Sequence, residues 1–330
     1  MIFNNEVVYS MNIAVIGLGS MGKRRIRLIK ELYPDFSIVG IDGREDRRSE
    51  AGSKFDISCS DRLSNVDYHI DCVFVCTSPL SHSEIIEEAL RRKCHVFTEL
   101  NLISDGYENN ICLANENNVT LFLSSTFLYR EEIQYICKKV RGKKWNYVYH
   151  IGQYLPDWHP WENYKEFFLG DKRTNGCREI MAIELPWLTS AFGCVEEISA
   201  SFDKMSDLDI EYNDNYMVQL KHKSGSKGVL IVDVVSPVAV RNLEIYKEND
   251  YISWKGTPET LATYNMETKD LEFVTLEKAE HIEGYKAFVV ENAYKSEIKE
   301  FFNVILKGNE PSYSFEQDKE VLGLIDSIGA

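Results

Sequence analysis

A chain of 330 residues is about two domains' worth at roughly 150 residues each, and its 44% hydrophobic content suffices for a proper core, which excludes a disordered protein. Thirty-seven basic against 52 acidic residues leave a formal charge of −15, the wrong sign for a nucleic-acid or anionic-membrane surface. No apolar run approaches the roughly 20 residues of a membrane-spanning helix, and residues 1–10 lack the basic start and apolar stretch of a secretory signal. A soluble cytoplasmic protein is expected, with Met11 as the candidate start.

Residues 12–16 form a short Val- and Ile-rich run, read as a buried strand. A glycine-rich turn follows, then apolar positions at helical spacing over 23–32, ended by Pro34. Strands are expected at 37–41, 72–76, 94–98 and 121–124, with helices at 83–92 and 110–117. Strands separated by helices of this length predict a parallel sheet covered on both faces. Beyond about residue 145 the rhythm changes. Residues 147–154 alternate, and 215–222 and 228–235 flank a Ser-Gly-Ser turn, which reads as an antiparallel hairpin. Further strands are expected at 243–247, 251–254 and 271–275, with helices at 178–192 and 293–306. The fold class expected is therefore α/β: a doubly wound parallel sheet over residues 1–125, then an α+β domain with a largely antiparallel sheet over 126–330. The eight cysteines form no Cys-x-x-Cys pair and have no histidine at metal-ligand spacing, so they read as reduced small hydrophobes and no metal site is expected.

Gly17-Leu18-Gly19-Ser20-Met21-Gly22 is a G-x-G-x-x-G between a strand and a helix. In such a turn Gly17 makes the bend, Gly19 lets the backbone approach a pyrophosphate, and Gly22 lets helix and strand pack closely. The helix start, at Ser20 and Met21, offers free N–H groups to phosphates. Asp42, 20 residues past Gly22, stands where a carboxylate bonds the adenosine ribose hydroxyls. It favours NAD, while Arg44 two residues on leaves a 2′-phosphate, and so NADP, open. Thr77, Ser78, Pro79 and Glu99 follow later strands and border the nicotinamide end of a dinucleotide laid across the strand termini.

The turn, TSPLSHSEIIEEAL and KCHVFTEL together resemble the glucose–fructose oxidoreductase, inositol dehydrogenase and rhizopine-catabolism family (Gfo/Idh/MocA). The resemblance implies a Rossmann domain, a second domain whose open sheet serves as a dimer or tetramer surface, and hydride transfer between a nicotinamide and a sugar, cyclitol or sugar-nucleotide carbon. His82 lies close to a His that the family often shows after that strand; a structural bond to the loop is the plainer role. The chain also departs from the family. Its Glu-Lys-Pro reads Glu99-Leu100-Asn101, so the usual proton-transfer Lys is Leu100, and Glu184 falls where a catalytic His is usual.

A carboxylate with a raised pKa can replace His or Lys near neutral pH, which makes Glu184 the leading catalytic candidate, followed by His159, Glu99 and Tyr129. Glu179 and Glu184, five apart on a helix, differ by about 140°, so one faces the site and the other is solvated or paired. Pro186 is expected to kink this helix. The stretch from Tyr154 to Tyr164 suits a sugar, with Trp158, Trp161 and Tyr164 as stacking faces and His159 as a hydroxyl partner. An aromatic cap over the core is the alternative. Lys165 and Arg178 are candidates to hold a substrate carboxylate or phosphate. The reading is an NAD(P)-dependent oxidoreductase on a sugar, amino sugar or sugar nucleotide. A weaker resemblance points to surface-polysaccharide or nonulosonic-acid enzymes. A dinucleotide-bound sensor or scaffold is the alternative.

Overall fold

The computed structural model describes residues 10–158, 163–276, 280 and 289–330. The chain folds into two compact units. One takes the chain up to Asn101 with Asp105–Ser124 and Ile298–Phe315; the other takes Leu102–Ser104 with Ser125–Glu297 and Glu316–Ala330.

The first unit is wound around a parallel sheet. In chain order its elements are β1 (Asn12–Ile16), α1 (Ser20–Leu32), β2 (Ser37–Ile41), α2 (Glu45–Phe55), β3 (Ser58–Ser60), β4 (Cys72–Val75), α3 (His82–Arg91), β5 (His95–Thr98), α4 (Tyr107–Asn117) and β6 (Leu121–Leu123). Among the described residues the strands run β3-β2-β1-β4-β5-β6, all pairs parallel. The order turns at β1, the switch point at which open α/β sheets bind ligands. β4 is buried along its whole length, as a strand covered on both faces must be. Its Phe74 stacks on Phe97, which stacks on Phe122, and Phe301 meets all three edge-on. The charged stretch of α2, with one buried residue, Ala51, shows no apolar stripe, and it and the short β3 escaped the sequence reading.

The second unit holds α5 (Glu131–Val140), β7 (Asn146–Gly152), α6 (Gly176–Phe192), β8 (Val195–Asp203), β9 (Asn215–His222), β10 (Lys227–Asp233), β11 (Val240–Lys247), β12 (Asp250–Trp254), β13 (Ala262–Asn265) and β14 (Asp270–Phe273). Two helices close the chain, α7 (Glu291–Lys307), which contributes to both units, and α8 (Phe315–Ile328). The sheet order is β14-β13-β12-β11-β7-β10-β9-β8, antiparallel except where β7 pairs with β10. Alternation decides its faces. Tyr147, Tyr149, Tyr216, Val218, Leu230, Val232, Leu243 and Ile245 are buried on one side, whereas Val148, Met217 and Tyr246 are exposed on the other. Pro186 does not end α6, which runs as one helix to Phe192. None of the helices among the described residues is long and apolar enough to cross a membrane.

Candidate functional site

The glycine turn is built as its chemistry requires. Gly17 has φ +94°, and a Cβ there would stand 2.6 Å from the Cys76 carbonyl oxygen. A Cβ on Gly22 would stand 1.8 Å from the Gly17 carbonyl, so only glycine lets α1 start this close to β1. Gly19 differs: its Cβ would face open space, the nearest atom being Arg47 Nη1 at 3.8 Å. Gly19 caps α1 with no side-chain bond, and Ser20 is exposed at the helix start. The first-turn N–H groups and the positive end of α1 are the features that suit an anion.

Asp42 follows β2 and accepts from the Leu18 amide at 2.8 Å and the Arg44 amide at 2.9 Å. The carboxylate thus braces the turn. Arg44, open in the sequence to a 2′-phosphate, stands two residues past Asp42. Its exposed guanidinium bonds Asp46, whose pKa this hydrogen bond holds down to about 2. Arg47 Nη1 is the guanidinium beside Asp42, 3.8 Å from Oδ2.

Past β4, Thr77 is fixed by Ser81 through its hydroxyl (2.9 Å), Ser78 is exposed, and buried Pro79 starts a short turn. His82 is buried, with Nε2 3.0 Å from the Thr77 carbonyl and Nδ1 2.6 Å from Asn101 Oδ1. Burial lowers its pKa, so the ring is neutral and ties together the loops after β4 and β5. Glu99 is gripped by Arg25, Nε to Oε1 at 2.6 Å and Nη2 to Oε2 at 3.1 Å. Arg25 is itself fully buried, lies 4.5 Å over the Phe97 ring and bonds Ser124. Sequence reasoning missed Arg25, although a charge sharing the helical stripe of Leu28 and Ile29 is a signal for a buried partner.

The second unit has a charge cluster of its own. Glu184 is fully buried. Its Oε1 accepts from Arg241 at 2.6 Å, and its Oε2 accepts from the Tyr149 hydroxyl and the Trp187 indole, both at 2.7 Å. Burial and the Glu184 charge push the Tyr149 hydroxyl well up, so it remains protonated and donates. Phe127 lies between two guanidinium groups, Arg130 at 4.7 Å and Arg241 at 4.8 Å, and Arg130 pairs with buried Glu132. A carboxylate bonded to three donors is an anchor in its surroundings, and it was read as the leading base. Glu179, on the same helix, is half-buried, and its carboxylate has no hydrogen bond or ion pair among the described residues. Burial raises its pKa to about 7.

Of the expected substrate residues, His159 and Trp161 lie outside the described residues. Trp158 packs with its ring 3.7 Å from where a Cβ on Gly176 would stand, and its indole donates to the Gln153 carbonyl. The Tyr164 hydroxyl accepts from the Asp209 amide, and exposed Lys165 is paired with Asp209. Arg178, read as an anion holder, is committed elsewhere: Nε donates to the Leu102 carbonyl, and Nη1 to Asp326 (2.7 Å) and the Ala330 carbonyl (2.6 Å).

This geometry defines an NAD-binding Rossmann unit. Residues 11–123 match the family model described as the GFO_IDH_MocA oxidoreductase family, NAD-binding Rossmann fold. Human biliverdin reductase A is 25% identical over 212 residues, 62% of this chain and 66% of that enzyme, so the match stops just short of two thirds of the relative's length. The solved UDP-N-acetylglucosamine 3-dehydrogenase GnnA from Acidithiobacillus ferrooxidans shares the fold over 97% of both chains, with TM-score 0.77 and 16% identity. The WlbA dehydrogenase from Bordetella pertussis, in complex with NADH and UDP-GlcNAcA, shares it over 97% of this chain and 96% of its own, with TM-score 0.76 and 15% identity.

Proposed function

We propose that this chain is an NAD-dependent dehydrogenase or reductase of a sugar, amino sugar or sugar nucleotide. The observation that carries this is the turn at Gly17–Gly22, open at Gly19 and braced by Asp42, in a chain whose residues 11–123 match an oxidoreductase family model. NAD, when bound, accepts or donates a hydride. The chain's part is to hold the diphosphate on the α1 amides, the adenosine ribose on Asp42, and the substrate against aromatic faces such as Trp158. The similar folds that handle UDP-amino sugars favour this substrate class. Glu99 and Glu184, each locked to an arginine, serve as fixed charges that position their surroundings.

The test has two arms. NADH titrated into the protein binds, and Asp42→Asn weakens it about ten- to a hundredfold, the loss of one or two bonds to a charged acceptor. NAD with UDP-N-acetylglucosamine, UDP-GlcNAcA, myo-inositol and free amino sugars then yields reduced nicotinamide absorbance. Binding without turnover on any compound supports the second reading, a coenzyme-bound sensor, which Leu100 at the family's lysine position favours.

We also infer a homodimer in the cytoplasm, formed through the open sheet face. Val148, Met217 and Tyr246 are exposed there, and Val148 and Tyr246 line a groove of about 480 Å³ with Glu197, Lys221 and Lys227. Apolar residues with charges of both signs on one patch suit a two-fold contact with a second copy.

A further inference from the structure

Helix α6 is enclosed almost throughout. From Gly176 to Leu188 every side chain is buried except Glu179 and Ile183, which stand one turn apart on one face. Glu184 is on the other side of the helix, turned by about 140° into its cluster with Arg241, Tyr149 and Trp187. Gly176, one turn before Glu179 and on the same side, is the residue against which Trp158 packs. A partly accessible carboxylate and aliphatic side chain therefore follow one another along this face of an otherwise closed helix, with the half-buried Trp158 ring at its closed Gly176 end beside Val234 and Leu155. That combination suits a sugar, whose C–H face packs on the aromatic and whose hydroxyl bonds the carboxylate.

The two other glutamates among the candidates for proton transfer are occupied. Glu99 is held on both oxygens by Arg25, and both oxygens of Glu184 accept from fixed donors. Glu179 has no such partner among the described residues. Its place in the first turn of α6 favours the charged form through the helix dipole, yet burial outweighs this and holds the group near the middle of the physiological range, at about 7. Burial is the sole cause of the shift.

We propose that Glu179 is the catalytic acid–base of this chain, exchanging a proton with the reacting oxygen of a sugar-like substrate stacked at Trp158. The proposal rests on the oxidoreductase reading above. In the oxidative direction the substrate O–H bond breaks and its proton goes to the Glu179 carboxylate, which becomes a neutral acid. NAD, where bound, would supply the acceptor for the hydride that leaves the carbon with its electron pair as that carbon becomes a carbonyl. In reduction each transfer runs backward and Glu179 returns the proton.

The test uses the full chain and the variants Glu179→Gln and Glu179→Asp. Infrared difference spectra of the wild type across pH 5–9 should show one carboxylic-acid band titrating near 7, lost in Glu179→Gln, whether or not coenzyme is present. On whichever compound of the panel the wild type turns over, Glu179→Gln should lower kcat about 100- to 10,000-fold and flatten the pH profile near 7. NADH affinity should stay unchanged, and Glu179→Asp should restore part of the rate. Absence of the titrating band, or Glu179→Gln turning over like the wild type, overturns the assignment. Failure of the oxidoreductase reading gives a different pattern, a wild type that turns over no compound of the panel whether or not it binds NADH, and takes the assignment with it.

Discussion

At the scale of single residues, the two glutamates of α6 illustrate how environment assigns roles to identical groups. Glu184 is an ion-pair anchor, and Glu184→Gln leaves Arg241 beside Phe127 without its counter-charge. Breaking a buried pair from one side costs about 3–5 kcal/mol, to be read as a shifted denaturation midpoint. Glu184→Gln combined with Arg241→Met should recover much of the loss, since no lone charge remains. Glu179 makes the opposite demand on folding. Its folded pKa of about 7 lies above the ordinary 4.5, so the folded state binds more protons than the unfolded one between those values. Stability from this group is complete below the unfolded pKa and declines as pH rises through 7. The melting temperature of Glu179→Gln should therefore gain on the wild type between pH 5 and 8, and parallel curves would contradict the shift. The acidic character of both positions was legible in the sequence. Their roles were not, because Arg241 arrives from β11, 57 residues away, and nothing local announces it.

At the scale of elements, the glycine turn separates two functions that the motif merges. Gly22 is a packing residue: Gly22→Ala drives a methyl into the Gly17 carbonyl and should destabilise the unit and abolish NADH binding together. Gly19 meets nothing within the protein closer than Arg47 at 3.8 Å. Gly19→Ala should keep the wild-type melting temperature yet lose coenzyme affinity at least tenfold, as calorimetry would show, because the methyl occupies the diphosphate's approach. The strand-turn-helix pattern was readable because each glycine answers a local backbone need. Helix α2 was not, since eleven largely polar residues with one buried side chain carry no periodic signal. The loop before α6 was legible only as aromatic. That its Lys165 is spent on Asp209, and Arg178 just beyond it on Asp326, depends on partners far along the chain.

At the scale of the whole molecule, the alternation of β7 and the hairpin of β9 and β10 were legible in the sequence and the resemblance implied an open sheet, but the strand order was not legible. The parallel pairing of β7 with β10 joins residues about eighty positions apart, and no turn chemistry encodes it. If a second copy covers the open face, Val148→Glu with Met217→Glu should convert a dimer to a monomer in light scattering while NADH affinity is retained. A monomeric wild type would refute that assembly. The aromatic stack of the first sheet carries a temporal consequence. Phe74, Phe97 and Phe122 emerge from the ribosome early, whereas Phe301, the ring that meets their edges, is synthesised some 180 residues later. During translation that oily surface waits bare until the last tenth of the polypeptide is made, a natural foothold for chaperones.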